Sequence, residues 1–353
     1  MNTHDFTKYL VLDSTSILDA LKQLDAVSDN GMLTLFVIDE SKRVVGSLTD
    51  GDCRRALIKG ASLADPIATV MRKDFTYIDD DNYSSDLISF IRQKGIKLVP
   101  YLHKDKTVKK ILDFSNGKSY LPIDAVLMAG GKGERLRPLT LNIPKPLLKV
   151  GGKAIIDYNI DNLMHCGIDN INVTVNYLAE QIEEHFSTEK DGIQIKCIRE
   201  GEKFLGTIGG VQYIHDWHND VILLMNSDLF TNINLEEFYL HFLKNGADMS
   251  VAAMPYNVNI PYGILDIENK RDIIGIKEKP SYYYYANAGI YLFKRSLLDL
   301  IPHNTFYDAT DFLNDLIAKQ YKVIRFPISG YWIDIGKPAD FQKVQEIAEH
   351  LKG

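Results

Sequence analysis

The feature of this sequence that most constrains its fold is a glycine-rich, cationic run that directly follows a short apolar stretch. The stretch Val126–Met128 predicts a buried strand, and residues 129–140 follow it without a break. The glycines and cations of this run are Gly130, Gly131, Lys132, Gly133, Arg135 and Arg137. Glycines let backbone N–H groups approach a ligand closely, and the cations favour an anion. The run therefore predicts a phosphate-binding loop, with a tight turn that binds nothing as the alternative.

Two common phosphate-binding loops do not match this run. A dinucleotide-binding loop needs a third glycine at the position of Leu136, which argues against an NAD-dependent oxidoreductase. The loop of nucleoside triphosphatases ends in Gly-Lys followed by Ser or Thr, and that ending is absent.

Strand and helix patterns alternate after residue 123. Short apolar runs predict strands at 171–175, 221–225 and 249–253, and apolar residues at helical spacing predict a helix that ends near Gly167. This alternation predicts an α/β fold with a Rossmann-like, mixed but mainly parallel sheet. Ligands of such sheets bind beyond the carboxyl ends of the strands.

Motifs from the glycine-rich run onward resemble those of the sugar-1-phosphate nucleotidylyltransferase family. They are Gly130–Thr140, Pro144–Leu148, Gly152–Ile156, Leu205–Gly210, Asn226–Asp228, Glu278–Pro280, Asn287–Tyr291 and Trp332–Pro338. The resemblance covers most of residues 123–345, and it implies an enzyme that joins a nucleoside triphosphate to a sugar 1-phosphate and releases pyrophosphate. Since the sugar phosphate is already an anionic nucleophile, such an enzyme needs alignment and charge neutralisation rather than a strong base.

The resemblance implies roles for residues around the first loop. Lys145, restricted by Pro144 and Pro146, would stabilise the α-phosphoryl group in the transition state, and Arg135 would hold the leaving pyrophosphate. The nucleotide-binding residues would be Ala129, Gly130, Gly131, Lys132, Gly133, Gly206, Thr207 and Gly209.

A second group of residues would bind the sugar phosphate. By the same resemblance, Lys279 would contact the phosphate and Glu278 a sugar hydroxyl. The rest of the pocket would be Gly263, Asn287 and Gly289. The tyrosine run Tyr282–Tyr285 follows, and it is read as an ordinary strand edge, with a lid or a subunit contact as alternatives.

The resemblance also implies one cofactor, Mg²⁺, bound between two aspartates and the triphosphate. Asp228 ends an apolar run, so we expect it at the carboxyl end of a strand, and Asp334 follows a second short hydrophobic segment. A few oxygen ligands completed by phosphates and water suit Mg²⁺ rather than Zn²⁺. A helix cap or a surface charge is the alternative for either aspartate. The family often has glycine where Ser227 stands, a change that we expect to be tolerated.

The motifs indicate the base of the nucleotide less directly than they indicate the reaction. The Leu205–Gly210 motif is similar to that of mannose- and heptose-type guanylyltransferases, so GTP is favoured. The alternative is that these glycines only permit a tight strand-to-helix turn and that the base is selected elsewhere.

The N-terminal part of the chain shows a shorter repeat of about 50 to 60 residues. A helix from Thr15, capped by Asp13 or Ser14, precedes two strand patterns and a helix that ends at Gly60. A weaker copy has a capped helix over Ser84–Gly95 and strands near 98–102 and 107–114. We expect tandem modules over residues 1–115, a linker at 116–121 and the catalytic domain at 122–353.

The first copy resembles a CBS module. Its residues Gly46, Thr49 and Asp52 match the loop with which that family binds the ribose of adenosine nucleotides, through Thr49 and Asp52. The second copy ends near Phe114 without this loop or its following helix, so we expect the pair either to bind an adenine nucleotide or to serve dimerisation.

A CBS pair in front of a guanylyltransferase-like domain resembles the glucosamine-1-phosphate guanylyltransferases of legionaminic acid synthesis, which supply surface or flagellar glycans. Mannose 1-phosphate and a heptose 1-phosphate stay open as substrates. A non-catalytic protein that binds nucleotide sugars is a further alternative, although Arg135, Lys145, Asp228, Lys279 and Asp334 are all present.

The composition of the chain argues against several classes of binding partner. The formal charge is −7, from 40 basic and 47 acidic residues, which argues against a nucleic-acid binder. No stretch approaches the about 20 apolar residues of a membrane span. The three cysteines, Cys53, Cys166 and Cys197, predict reduced thiols in the cytoplasm, and His215 and His218 predict a polar surface loop rather than a metal site. We expect a homo-oligomer.

Overall fold

The fold is built on a seven-stranded sheet in the C-terminal part of the chain and a smaller three-stranded sheet in the N-terminal part. The computed structural model describes residues 6–28, 33–79, 81–115, 119–201 and 204–350. Contacts divide the chain into two units, Met1–Tyr120 and Leu121–Gly353. Three residues of the predicted linker, 116–118, lie outside the described residues.

The first unit consists of a sheet and two helices followed by a shorter copy of the same order. Strand β1 is parallel to β2, which is antiparallel to β3. The elements of this unit are β1 (Leu10–Leu12), α1 (Ile17–Ala26), β2 (Thr34–Ile38), β3 (Val44–Thr49), α2 (Asp50–Ile58), α3 (Ser85–Gln93), β4 (Leu98–Leu102) and β5 (Val108–Asp113).

The second copy repeats the topology of the first, as predicted. A parallel bridge from Ile78 to Tyr101 corresponds to the β1–β2 pairing, and β4 is antiparallel to β5, as β2 is to β3. Both hairpins contain a bulge near their turn. Among the described residues, no helix follows β5 before the next unit begins, so this copy is shorter than the first.

The predicted cap of the first helix was wrong. Ser16, rather than Asp13 or Ser14, accepts the backbone N–H of Asp19, at 3.1 Å. The reason is that Ser16 forms a β-bridge with Pro66, which keeps the backbone extended for one more residue before the helix begins. The predicted end of α2 is confirmed, because Gly60 adopts a φ of 95°.

The second unit alternates strands and helices. Its strands are β6 (Asp124–Met128), β7 (Lys149–Val150), β8 (Lys153–Ala154), β9 (Ile171–Val175), β10 (Lys196–Arg199), β11 (Val221–Asn226), β12 (Leu229–Thr231), β13 (Met249–Asn259), β14 (Ile264–Glu268), β15 (Asp272–Lys277), β16 (Ser281–Lys294), β17 (Val323–Pro327) and β18 (Trp332–Asp334). Its helices are α4 (Ile155–His165), α5 (Ala179–His185), α6 (Gly206–Gly209), α7 (Leu235–Lys244), α8 (Ala309–Ala318) and α9 (Pro338–His350).

The large sheet is mixed and mainly parallel, which confirms the predicted fold class. Its strand order is β10-β9-β6-β11-β16-β13-β17. Four of its strand pairs are parallel, and only β16 runs antiparallel to both of its neighbours. The central strands are buried except for the last residue of β6 and of β11, and alternate residues such as Ile222 and Leu224 pack into a core with Ile208 and Phe312. The carboxyl ends of β6 and β11 therefore open side by side at one edge.

No helix within the described ranges is long and apolar enough to cross a lipid bilayer.

Candidate active site

The glycine-rich loop leaves β6 and is held in shape by its own backbone. Gly133 adopts a left-handed conformation, and a Cβ atom there would lie 3.1 Å from atoms of both Thr140 and Lys145. The Thr140 hydroxyl donates a hydrogen bond to the Gly133 carbonyl at 2.8 Å. At Gly131, by contrast, a Cβ atom would meet nothing within 4 Å. The loop therefore closes tightly around Gly133 and faces open space at Gly131, where a ligand has room.

Lys145 lies at the centre of the site. Its side chain is 9% exposed, and its Nζ atom forms an ion pair with Oδ2 of Asp228. The same Nζ atom lies 3.5 Å from Oδ1 of Asp334. Pro144, in extended conformation, precedes the one-turn helix that carries the lysine, and Pro146 follows it. The lysine is therefore directed at two carboxylates that lie far apart in the sequence.

The two aspartates meet because two short strands pair. β12 follows Asp228 directly and runs antiparallel to β18, which places Leu229 opposite Asp334. The backbone N–H of Ile335 donates to the carbonyl of Asp228 at 3.3 Å. The Asn159 amide on α4 donates to the carbonyls on both sides of Asp228, those of Ser227 and Leu229. Asp228 is therefore fixed from three sides, and Asp334 is brought to it by the register of the strand pair.

Ser227 has a role that the sequence did not indicate. Its buried hydroxyl donates to the carbonyl of Met128 at 2.6 Å. This bond joins the carboxyl ends of β11 and β6, the two strands that carry Asp228 and the glycine-rich loop. A glycine at this position would lack the bond, so the serine strengthens the junction between the two parts of the site.

The electrostatics of the carboxylate pair suit a cation. Burial, followed by the neighbouring Asp228 carboxylate, raises the pKa of Asp334, while Lys145 and Arg135 act in the opposite direction. Oδ1 of Asp228 is buried without a hydrogen-bond partner. Arg135 approaches from the other side, where its guanidinium lies against the face of Gly336.

These features fit a magnesium ion. Two carboxylates, one of them with an unsatisfied oxygen, already surround a cationic group, the Lys145 ammonium. In the described parts of the chain no cluster of three or more His, Cys, Asp or Glu side chains could hold a metal ion. A divalent ion here would thus have few protein ligands, which is the arrangement in which Mg²⁺ takes its remaining ligands from phosphates and water.

The predicted sugar-binding residues form two separate groups of contacts in the structure. A Cβ atom on Gly263 would lie 3.0 Å from Oε2 of Glu278, so these two residues are in contact. Asn287 accepts the N–H of Gly289 and donates to the hydroxyl of Tyr291. Lys279 is exposed and has a left-handed backbone, with a φ of 44°.

Residues 288 and 289 contact the two chain segments that precede the aspartates. A Cβ atom on Gly289 would lie 2.5 Å from the amide of Asn226, two residues before Asp228. The Trp332 indole donates to the carbonyl of Ala288 at 2.9 Å, two residues before Asp334. Residues 287–289 therefore pack between the chain segments that lead to the two aspartates.

Three residues predicted to bind the nucleotide have packing roles in the structure. Gly206 has a φ of 81°, and a Cβ atom there would lie 2.6 Å from the carbonyl oxygen of Tyr307. The Thr207 hydroxyl is hydrogen-bonded to the carboxylate of Asp308 and to the N–H of Ala309, at the start of α8. Gly209 lies directly against Leu205. Their contact with a nucleotide stays a prediction.

Glu200 is a site residue that the sequence did not reveal. It follows β10, it is 8% exposed, and its carboxylate lies against the faces of Gly130 and Gly210. Burial raises the pKa of Glu200 to about 7, and a weak contact from the N–H of Leu205, at 3.5 Å, acts in the opposite direction. A polar residue after a strand is the signal that could have found it, but the short strand β10 was not predicted.

The predicted adenosine-binding residues of the first unit are engaged with each other. Thr49 and Asp52 form a capping box at the start of α2. The Asp52 carboxylate also accepts hydrogen bonds from Arg55, at 2.6 Å, and from Arg72, at 2.7 Å. Although burial acts in the opposite direction, the bonds from Thr49, Arg72 and Arg55 hold the pKa of Asp52 below its ordinary value. Both side chains thus have structural partners, and their binding of an adenine nucleotide stays a prediction.

The histidine pair and the three cysteines named in the sequence analysis have ordinary structural surroundings. His218 contacts Asp216 at 3.1 Å in an exposed loop, as expected for the surface role of the His215 and His218 pair. Cys53 and Cys166 are buried free thiols, Cys197 is half-buried, and burial raises their pKa values to about 11, 12 and 11.

Comparison with known families gives two matches. The model of the nucleotidyl transferase family matches residues 124–350, and the model of the CBS domain matches residues 7–59. The first match covers the glycine-rich loop, Lys145 and both aspartates.

Individual relatives align over the same region. The chain is 34% identical over 225 residues to the bifunctional protein GlmU of Methanocaldococcus jannaschii, an alignment of 62% of this chain and 52% of the relative. It is 31% identical over 224 residues to a mannose-1-phosphate guanyltransferase of Yarrowia lipolytica, covering 61% of each. It is 28% identical over 236 residues to a UTP–glucose-1-phosphate uridylyltransferase of Synechocystis, covering 62% of this chain and 61% of the relative. The chain thus spans about half to three fifths of the length of these relatives.

Proposed function

Because the chain belongs to the nucleotidyl transferase family, we propose that it catalyses the reaction of a nucleoside triphosphate with a sugar 1-phosphate to give a nucleotide sugar and pyrophosphate. The observation that carries this proposal is the cluster of Lys145, Asp228 and Asp334 beside the glycine-rich loop. It combines a directed cation, a pair of carboxylates and a backbone that leaves room for phosphates. These are the groups that phosphoryl chemistry requires.

The proposed mechanism needs no protein base. An oxygen of the sugar phosphate attacks the α-phosphorus, and the bond from this phosphorus to the bridging oxygen of the β-phosphate breaks in line with the attack. Lys145 neutralises charge on the α-phosphoryl oxygens, Arg135 binds the leaving pyrophosphate, and Lys279 positions the sugar phosphate. Magnesium, held by Asp228 and Asp334, would supply further neutralisation of the triphosphate.

For the base we propose guanine, and Glu200 is the residue that supports this choice. The Watson–Crick edge of guanine presents two neighbouring N–H donors, and a carboxylate has two acceptor oxygens and no donor. Glu200 lies between the glycine-rich loop and the Leu205–Gly210 segment, and among the residues that the structure describes no cation is hydrogen-bonded to it. The names of the relatives leave the base open, since both a guanyltransferase and a uridylyltransferase match the chain.

For the sugar we propose glucosamine 1-phosphate, in a route to legionaminic acid, from the order of a CBS module followed by the transferase domain. Mannose 1-phosphate and heptose 1-phosphate are the alternatives within the same chemistry. A further alternative is a non-catalytic protein that binds nucleotide sugars without making them. The complete set of charged residues at the site favours the enzyme.

The test is product formation. Purified protein is incubated with Mg²⁺, GTP and glucosamine 1-phosphate, and mass spectrometry is used to look for GDP-glucosamine. Parallel samples contain the other nucleoside triphosphates, mannose 1-phosphate or a heptose 1-phosphate. GDP-glucosamine as the main product supports base and sugar together, and a different nucleotide sugar refutes the substrate choice alone. Folded protein that gives no product with any pair refutes the proposed reaction.

Two variants test the assigned residues. Lys145→Met is expected to lower kcat by about 10²- to 10³-fold, because it removes a preorganised charge from the transition state. Lys149→Met changes an exposed lysine four residues away and serves as the matched control. Glu200→Gln is expected to lower kcat/KM for GTP by about 10- to 100-fold, since a hydrogen bond to a charged group contributes about 1.5–3 kcal/mol. An unchanged GTP preference in Glu200→Gln would refute the assignment of the base.

For the first unit we propose that an adenine nucleotide binds to the CBS module at Thr49 and Asp52 and regulates the enzyme. Binding to the folded state alone raises the melting temperature. Titration with ATP and AMP in a thermal-shift assay tests this, and the absence of any shift, with unchanged activity, would leave the module a structural role.

A further inference from the structure

The glycine-rich loop is tied at both ends by one residue from outside the sequence motifs. Tyr177 lies between β9 and α5. Its backbone N–H donates to the carbonyl of Gly130, at 3.4 Å, where the loop begins. Its phenol hydroxyl is shared between the carbonyls of Thr140, at 3.1 Å, and Leu141, at 3.0 Å, where the loop ends. Tyr177 therefore spans the two ends of residues 130–141.

The end of the loop that Tyr177 holds also packs against Lys145. Thr140 is completely buried, and its hydroxyl donates to the carbonyl of Gly133. A Cβ atom on Gly133 would lie 3.1 Å from the Cβ atom of Lys145. Lys145 keeps its own ion pairs with the two aspartates, so the loss of the Tyr177 hydroxyl would release the loop rather than the lysine.

Helix α5 supplies a second tie and is itself anchored. The side-chain amide of Gln181 donates to the carbonyl of Asn142, at 2.9 Å, directly after the loop. Glu183 on the same helix accepts two hydrogen bonds from Arg199, both at 2.6 Å, and Arg199 is the last residue of β10. Because β10 belongs to the large sheet, Tyr177 and Gln181 hold the loop from a fixed support.

Between its tied ends the loop is exposed and positively charged. Lys132 and Arg135 are exposed, and Arg137 is paired with Glu134 at 3.5 Å. Like charges on a short loop repel each other when no anion is bound, and a free loop loses conformational entropy when it closes on a ligand. Ties that hold the ends of the loop beforehand lower this cost of binding.

We propose that Tyr177 is a positioning residue for the triphosphate, and that its hydroxyl keeps the glycine-rich loop in its phosphate-binding shape without touching the nucleotide. The inference rests on the proposed function. An interaction that organises the loop before binding is made equally in the ground state and in the transition state. Its loss therefore weakens nucleotide binding and leaves kcat unchanged.

Steady-state kinetics of two matched variants test the proposal. Tyr177→Phe removes the hydroxyl and keeps the ring. Tyr158→Phe is the control, because Tyr158 also donates to a backbone carbonyl, that of Val150, at 2.9 Å, outside the loop. Circular dichroism establishes that both variants are folded.

The expected result is a change in one kinetic constant. We expect Tyr177→Phe to raise KM for the nucleoside triphosphate about 3- to 10-fold, the range for the loss of one hydrogen bond. Its kcat and its KM for the sugar phosphate should stay within about twofold of wild type, as should all three constants of Tyr158→Phe. A KM for the nucleotide that rises no more in Tyr177→Phe than in Tyr158→Phe, or a kcat that falls as much as KM rises, overturns the proposal.

Hydrogen exchange followed by mass spectrometry tests the same loop without turnover. In the full chain without nucleotide, we expect the amides of residues 130–141 to exchange about 3- to 10-fold faster in Tyr177→Phe than in wild type, and at the wild-type rate in Tyr158→Phe. Equal exchange in Tyr177→Phe and wild type overturns the proposal. Faster exchange in a protein that makes no nucleotide sugar refutes the proposed reaction alone, and unchanged exchange in an active enzyme refutes the role of Tyr177 alone.

Discussion

Replacing Glu200 with glutamine is expected to stabilise the protein in alkaline solution while impairing its proposed use of GTP. The carboxyl group is almost completely buried, and burial raises its pKa from 4.5 to about 7. In the unfolded chain the group loses its proton near the ordinary value. Between pH 4.5 and about 7 the folded protein therefore binds a proton that the unfolded chain has released, and stability falls as the pH rises.

The size of this effect follows from the two pKa values. The difference between 4.5 and about 7 corresponds to a loss of about 3 kcal/mol of unfolding free energy, which is complete above pH 7 and absent below pH 4.5. Glutamine has nearly the same shape and does not ionise. The advantage of Glu200→Gln over wild type is therefore expected to grow by about 2.5 kcal/mol between pH 5 and pH 8, since part of the full difference lies below pH 5.

Urea unfolding followed by tryptophan fluorescence measures this quantity in the right unit, since Trp217 and Trp332, the two tryptophans of the chain, lie in residues 121–353. Glu268→Gln, at the exposed last residue of β14, is the control and is expected to show the same stability as wild type at both pH values within about 0.5 kcal/mol. A gain for Glu200→Gln that changes by less than about 1 kcal/mol between pH 5 and pH 8 would refute the reasoning. A gain in stability together with a loss of GTP turnover is typical of a residue kept for function.

Three further predictions concern other parts of the molecule. Without nucleotide, Lys145→Met is expected to bind Mn²⁺ more tightly than wild type in an electron paramagnetic resonance titration, because the ammonium no longer occupies the carboxylate pair; equal affinities would contradict this. Gly206→Ala is expected to cost about 1–3 kcal/mol in urea unfolding, whereas Gly246→Ala, with a positive φ but no neighbour within 4 Å, should cost no more than about 1 kcal/mol; similar losses would show that backbone strain alone matters. Arg72→Ala is expected to destabilise the first unit by about 1–3 kcal/mol at pH 7, because it removes a hydrogen bond to the Asp52 carboxylate. Since the folded pKa of Asp52 is lowered, this loss should shrink as the pH falls below about 4, as urea unfolding followed by circular dichroism would show, and a loss that is independent of pH would contradict the assignment.

The sequence predicted the parts of the fold that depend on local pattern. The strands at 126–128 and 221–225 are continuous apolar runs, as expected for buried parallel strands, and the strand at 171–175 keeps β-branched residues around the polar Asn172. The cap of α1 was missed because it depends on a bridge from Ser16 to Pro66, fifty residues away. Residues 13–16 are four acceptable capping residues in a row, and only the distant contact selects one of them.

The site was predictable as a set of residues but not as an arrangement. The motifs named Lys145, Asp228 and Asp334, yet their contact arises from the pairing of β12 with β18, two strands of three residues each. Strands this short have no periodicity to detect. Glu200 was missed for a related reason, because a glutamate is ordinary on a surface and becomes distinctive only when it is buried.

The β12–β18 pairing also determines when this site can exist during synthesis. Residues 121–231 already contain the glycine-rich loop, Lys145, Asp228 and all of β12. A nascent chain of that length lacks β18, and so has neither the partner strand of β12 nor the second carboxylate. Until Asp334 has been synthesised, Lys145 has only Asp228 of its two acidic partners, and the proposed metal site lacks one of its two carboxylates. The growing polypeptide is therefore expected to carry a phosphate-binding loop long before it carries the complete carboxylate pair.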